Sequence, residues 1–128
     1  MKIKFLFLVN IFVLSFSNVN AQSNSEKCDV KIQDIKSQNV LGRNIGYVVK
    51  FDNNNEKTID GIAWTAFYYD RFGELKGKKE GTWTSGNFIK PVPANSTLTT
   101  TQTSWVKGAD DVYITITKVH FTDGSTCK

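Results

Sequence analysis

The sequence contains few of the residues from which reactive sites are built. Its 128 residues include one histidine, two cysteines and one methionine. A general base needs a nucleophile or a polarised water within hydrogen-bond reach, and no residue near His120 in the sequence suggests one. The sequence shows no nucleophile elbow, no phosphate-binding loop and no metal-ligand motif. We therefore expect no catalytic residue, no metal and no cofactor, and we predict that the protein is not an enzyme.

An excess of charge of one sign is also missing. The formal net charge is +4, but Lys2 and Lys4 belong to the N-terminal segment described next, and the remaining chain is close to neutral. Nucleic-acid-binding domains usually carry a strong positive charge and a basic stripe. The one local basic run, Lys76, Lys78 and Lys79, is interspersed with glutamates and glycine, which is typical of a solvated turn. We expect no nucleic-acid partner.

Residues 1–21 have the composition of a cleavable export signal. Lys2 and Lys4 precede an apolar stretch over 5–16, and small residues ending at Ala21 resemble a cleavage site. This stretch is shorter than the about 20 residues of a spanning helix, and no second apolar segment of that length follows. We predict a secreted or periplasmic protein whose mature chain has no membrane span. A retained N-terminal anchor is the alternative.

The remaining chain is predicted to be one domain over 28–128, after a flexible polar leader over 22–27. An even cysteine count in an oxidising compartment favours a disulfide between Cys28 and Cys127. The chain-entropy model assigns about 4.7 kcal/mol to a bridge that closes a loop of roughly 100 residues. An intermolecular disulfide and two free thiols remain as alternatives.

Short alternating apolar runs separated by Gly, Asn, Asp and Pro predict an all-β fold. Their spacing predicts a β-sandwich of about seven strands. The first strand, over 28–36, changes the face of its apolar residues and so is expected to contain a bulge or to end early. The other strands are expected over 44–52, 61–70, 80–84, 95–105 and 112–121, with a short returning strand at 126–127.

Two connections and one β-bulge have recognisable sequence signals. The polar run over 53–57 predicts a hairpin loop between the second and third strands. A change of apolar parity near Thr117 and Lys118 predicts a β-bulge there. Asp123 and Gly124 predict a type I′ hairpin turn that returns the last strand beside the preceding one.

The third predicted strand, over 61–70, is apolar on both faces. Trp64 and Tyr68 point to one side, whereas Phe67 and Tyr69 point to the other. Such a strand is covered on both sides, or its outer aromatic residues contact a partner.

The run from Phe67 to Asp70 followed by Gly73, together with the segments 48–54 and 93–97, resembles FxLYD-type and related immunoglobulin-like domains of exported bacterial proteins. The Leu of that motif is missing here. The resemblance implies an immunoglobulin-like β-sandwich in which Phe67 is a core residue and Asp70 a turn residue. It implies no catalytic activity.

The remaining candidates concern binding. Trp83 and Trp105 lie among Thr, Ser, Lys and Gly, so we expect them to be partly exposed and able to bind a ligand. The leading hypothesis is a non-catalytic binding or structural module with an unknown protein or glycan partner. One alternative is a carbohydrate-binding module that uses these tryptophans. Another is self-association through the Thr-rich strand over 95–105, which is expected to lie near a sheet edge.

Overall fold

The computed structural model describes residues 28–128, which form seven strands and no helix. The predicted signal peptide, 1–21, and leader, 22–27, lie outside the described residues. The predicted all-β fold with seven strands is confirmed. Among the described residues no helix could cross a membrane. The strands are β1 (Val30–Val40), β2 (Arg43–Asn53), β3 (Ile59–Tyr69), β4 (Leu75–Thr84), β5 (Ser96–Gln102), β6 (Asp111–Phe121) and β7 (Thr126–Cys127).

The strands form two antiparallel sheets, a three-stranded sheet in the order β1-β2-β5 and a four-stranded sheet in the order β4-β3-β6-β7. β1 and β2 join through a two-residue turn at Leu41 and Gly42, where φ is 53° and 80°. Positive φ at both positions is the geometry of a type I′ turn, which favours the right-handed twist of a hairpin. The sequence does not predict this turn, because a Leu-Gly pair lacks the usual Asn-Gly or Asp-Gly signal. The expected bulge in β1 is confirmed at Gln33, which the register with β2 skips.

The connection after β2 crosses from one sheet to the other, so the predicted hairpin loop over 53–57 is wrong. The side chain of Asn53, which is 1% exposed, organises this crossing. Its Nδ2 donates hydrogen bonds to the carbonyl oxygens of Lys57, Val92 and Pro93 at 2.9, 3.1 and 3.0 Å. Its Oδ1 accepts one from the Asn55 amide at 3.0 Å. These bonds pair loop carbonyl groups with a buried donor, and the Val92 carbonyl also accepts from the Ile59 amide at 2.9 Å.

The core lies between the two sheets and is centred on Trp64 of β3. The indole N–H of Trp64 donates to the hydroxyl of Tyr47 at 2.8 Å, and its ring lies 5.2 Å from that of Phe51. Both partners are on β2, so these contacts join the sheets. Gly81 lies opposite Trp64 on β4, where a Cβ would stand 2.3 Å from the indole nitrogen. Only glycine therefore allows the indole to lie this close to the β4 backbone.

The disulfide between Cys28 and Cys127 confirms the predicted pairing within the chain, with Cα atoms 5.3 Å apart. It connects Cys28, two residues before β1, to β7. Because β7 is only two residues long, it makes few hydrogen bonds to β6, and the disulfide attaches it covalently to the start of the domain.

The end of β6 follows the sequence prediction with one correction. The bulge is confirmed at Thr117, since Ala63 pairs with Lys118 and Trp64 with Ile116. The hairpin to β7 is confirmed as well, but only Gly124 has a positive φ, of 90°. The turn is therefore not type I′.

Candidate functional site

The two predicted binding tryptophans have different environments. Trp83 is only 8% exposed because it points inward from β4, and the expectation of partial exposure is wrong for it. Its polar sequence neighbours, Thr82 and Thr84, occupy the opposite face of the same strand and do not report on its burial.

Trp105 is half-buried, which confirms its expected partial exposure. Its ring lies edge-on to Tyr68, with centroids 5.2 Å apart, and its N–H donates to the Ala109 carbonyl at 3.2 Å. The indole thus has structural partners on its ring and on its nitrogen. Its role in ligand binding stays a prediction, and buried Trp83 offers almost no ring surface to share a ligand with it.

A second aromatic cluster lies on the outer face of the four-stranded sheet. Phe67 pairs with Tyr113 in the β3–β6 register, and the rings of Tyr69 and Tyr113 lie 5.5 Å apart at 74°. We call these three residues the outer aromatic patch. Tyr113 is 60% exposed and the other two are half-buried. The implied core position of Phe67 is therefore wrong, because strand alternation places Tyr68 in the core instead.

The tyrosines of the patch differ from those of the core in their polar contacts. Among the described residues, the hydroxyls of Tyr69 and Tyr113 make no hydrogen bond. In the core, the hydroxyl of Tyr47 accepts from Trp64, and that of Tyr68 donates to the Ser104 carbonyl at 3.1 Å. Burial raises the pKa of both core tyrosines. The patch therefore presents two phenol hydroxyls that have no hydrogen-bond partner among these residues.

A depression of 380 Å³ lies beside the patch, between the sheet surface and the β3–β4 turn. Arg71 and Asp111 are among the residues that line it, and Asp111 pairs with Tyr69. The Arg71 Nε is 3.6 Å from Asp110 Oδ2, so this guanidinium also has a partner outside the depression. The lining residues are Tyr69, Asp70, Arg71, Gly73, Asp111 and Tyr113.

Asp70 shapes the turn that forms one wall. Its Oδ1 accepts hydrogen bonds from the amides of Phe72 and Glu74, both at 2.9 Å. These bonds, that from Glu74 foremost, lower the pKa of Asp70. Gly73 has φ 82°, the left-handed conformation that a glycine adopts without strain. The turn role that the resemblance implies for Asp70 agrees with this geometry.

His120 has a partner that the sequence analysis did not identify. Its Nδ1 lies 2.5 Å from Asp60 Oδ1, at an exposed position. The contact follows from the pairing of β3 with β6, which brings together residues 60 positions apart in the sequence. Within residues 28–128 no hydroxyl or thiol is hydrogen-bonded to His120, and no three metal-ligating side chains form a group. Among these residues the pair has no nucleophile to activate.

Comparison with known proteins gives no relative: no family model, curated protein or solved structure matches the chain. The resemblance to FxLYD-type domains stays a prediction.

Proposed function

We propose that the chain is an exported, immunoglobulin-like binding module without catalytic activity, and that it binds a carbohydrate at the outer aromatic patch. Export is supported by the signal-like composition of residues 1–21 together with the disulfide, because disulfides persist mainly in oxidising compartments.

The immunoglobulin-like assignment is supported by the order of the strands and by one core residue. Seven antiparallel strands in two sheets, with a buried tryptophan on the third strand, are features of that fold. In antibody domains the tryptophan packs on a disulfide between the second and sixth strands. Here Trp64 packs on Phe51 of the second strand, and the disulfide joins the two ends of the domain instead.

The observation that carries the binding proposal is the exposure of the patch. Large aromatic side chains without intramolecular hydrogen bonds, grouped at a depression, are typical of a ligand site. The depression of 380 Å³ falls within the range of about 300–1,000 Å³ for small-molecule pockets.

The chemistry of the lining favours a carbohydrate. A sugar ring has apolar C–H faces that pack on aromatic rings such as that of Tyr113. Its hydroxyls are donors and acceptors, which match the carboxylate of Asp111 and the guanidinium of Arg71. These polar groups lie beside the rings, so one ligand could contact both.

Affinity electrophoresis in gels that contain a neutral glucan, a soluble chitin derivative or polygalacturonate tests the proposal. We expect retardation by at least one polysaccharide, and Tyr113→Ala is expected to weaken it about tenfold or more, as for a central aromatic contact. Phe88→Ala is the matched control, because Phe88 is 98% exposed but lies between β4 and β5, outside the patch. Normal migration of the wild type in all three gels, or equal retardation of Tyr113→Ala, would contradict the proposal.

A further inference from the structure

β5 forms an open edge of the three-stranded sheet. It pairs with β2 from Ser96 to Gln102 without a bulge. Among the described residues, the backbone groups of β5 that point away from β2 make no hydrogen bond. Such a row of unused donors and acceptors can pair with another strand.

The other long edges are protected in ways that β5 is not. β1 contains a bulge at Gln33 and carries charges at Lys31, Asp34 and Lys36. The exposed side chains of β4 include three lysines and a glutamate. Charges and bulges prevent edge-to-edge association, whereas β5 has no charged residue and no proline. Two copies of β5 could therefore approach each other without like-charge repulsion.

We propose that two copies of the chain pair β5 with β5 in antiparallel orientation, about a two-fold axis at Thr99. The outer-face residues of β5, Thr97, Thr99 and Thr101, are symmetric about this residue. The pairing places Thr97 opposite Thr101 of the second copy on the exposed outer face, and Leu98 opposite Thr100 on the inner face. Cross-strand threonine pairs stabilise antiparallel sheets, and the interface uses the same residues of each copy. The result is a continuous six-stranded sheet.

The lysines of β4 do not oppose this arrangement. The side chain of Gln102, the last residue of β5, reaches the Thr82 carbonyl at 3.4 Å. Gly77 of β4 lies against the side chain of Val106, which follows that end of β5, so the lysines from Lys79 back to Lys76 lie away from Thr99. Because the two copies run in opposite directions, their basic segments point away from each other. The outer aromatic patch belongs to the other sheet and stays exposed in both copies.

Sedimentation velocity over a range of protein concentrations tests the pairing. We expect a reversible dimer for the wild type. Thr99→Lys is expected to raise its dissociation constant about tenfold or more, because the two lysines would face each other across the axis. Thr115→Lys is the control, since Thr115 is exposed but lies on interior strand β6. Thermal unfolding of each variant checks that it remains folded.

Cross-linking tests the register independently. Thr99→Cys is expected to give a covalent dimer on mild oxidation, whereas Thr97→Cys is expected to need Thr101→Cys in the second copy. A wild type that is monomeric at every concentration would overturn the proposal, and so would a dimer that Thr99→Lys leaves unchanged. Neither result bears on the carbohydrate proposal, because the monomer contains the whole patch.

Discussion

The two faces of β3 both carry aromatic side chains, but the fold uses only one face fully. On the inner face, Trp64 and Tyr68 are completely buried, and each makes a hydrogen bond within the protein. On the outer face, Phe67 and Tyr69 are half-buried, and the hydroxyl of Tyr69 has no partner among the described residues. The inner aromatic residues are therefore part of the core, whereas the outer ones remain partly exposed to solvent.

The largest difference between the faces should appear on truncation of one ring from each. Trp64→Ala is expected to lower the free energy of unfolding by about 3–5 kcal/mol, because it removes a buried ring and leaves a cavity. Tyr113→Ala, on the outer face of the neighbouring strand β6, is the counterpart and is expected to cost less than about 1 kcal/mol. Urea unfolding measures both. Similar losses for the two variants would show that the outer rings are also structural.

A buried polar side chain provides the next test. Asn53→Asp is expected to lower the free energy of unfolding by about 3 kcal/mol, because a carboxylate would face carbonyl oxygens that now accept hydrogen bonds. Asn54→Asp, at the exposed neighbouring position, is the control and is expected to change stability by less than about 0.5 kcal/mol. Equal urea midpoints for the two variants would contradict the role given to Asn53.

Removal of a single tyrosine hydroxyl compares the buried core with the outer face on a smaller scale. Tyr47→Phe is expected to cost about 1–3 kcal/mol, because it leaves the buried indole N–H of Trp64 without an acceptor. Tyr113→Phe is expected to be neutral within about 0.5 kcal/mol. Thermal unfolding of the two variants measures the difference, and a neutral Tyr47→Phe would show that the buried hydrogen bond contributes no stability.

The smallest expected effect concerns an exposed turn. Hydrogen bonds from Ser125, with help from Lys57, lower the pKa of Asp123 to about 2. A depressed carboxyl pKa stabilises the folded state above the unfolded pKa of about 3.9, and this contribution disappears as the pH falls towards 2. Wild type is therefore expected to lose slightly more stability than Asp123→Asn between pH 5 and pH 2. Equal losses of unfolding free energy for the two proteins, measured with urea, would show that Asp123 contributes no pH-dependent stability.

Local signals in the sequence predicted much of the fold. The bulge at Thr117 was visible as a change of apolar parity, and the last hairpin as a residue pair that favours turns. The sequence did not show which sheet each strand belongs to. The crossing between the sheets depends on hydrogen bonds of Asn53, and these join residues up to 40 positions apart. Leu41 adopts a positive φ that its residue type does not indicate.

The candidate site was only half predictable. Alternation showed that Phe67 and Tyr69 share a face, but Tyr113 lies on another strand and joins them only through the β3–β6 register. Trp83 was wrongly expected at the surface because its polar neighbours belong to the opposite face of β4. A sequence tells which residues share the face of one strand more readily than which face is buried.

Carbohydrate binding at the outer aromatic patch is tested most directly by amide chemical-shift mapping. The isotope-labelled protein is titrated with a polysaccharide from the electrophoresis panel. Carbohydrate binding at the patch predicts the largest shift changes at Tyr69, Arg71, Asp111 and Tyr113, around the depression of the four-stranded sheet. Changes centred instead on Trp105, or no localised changes with any of the three polysaccharides, would contradict it.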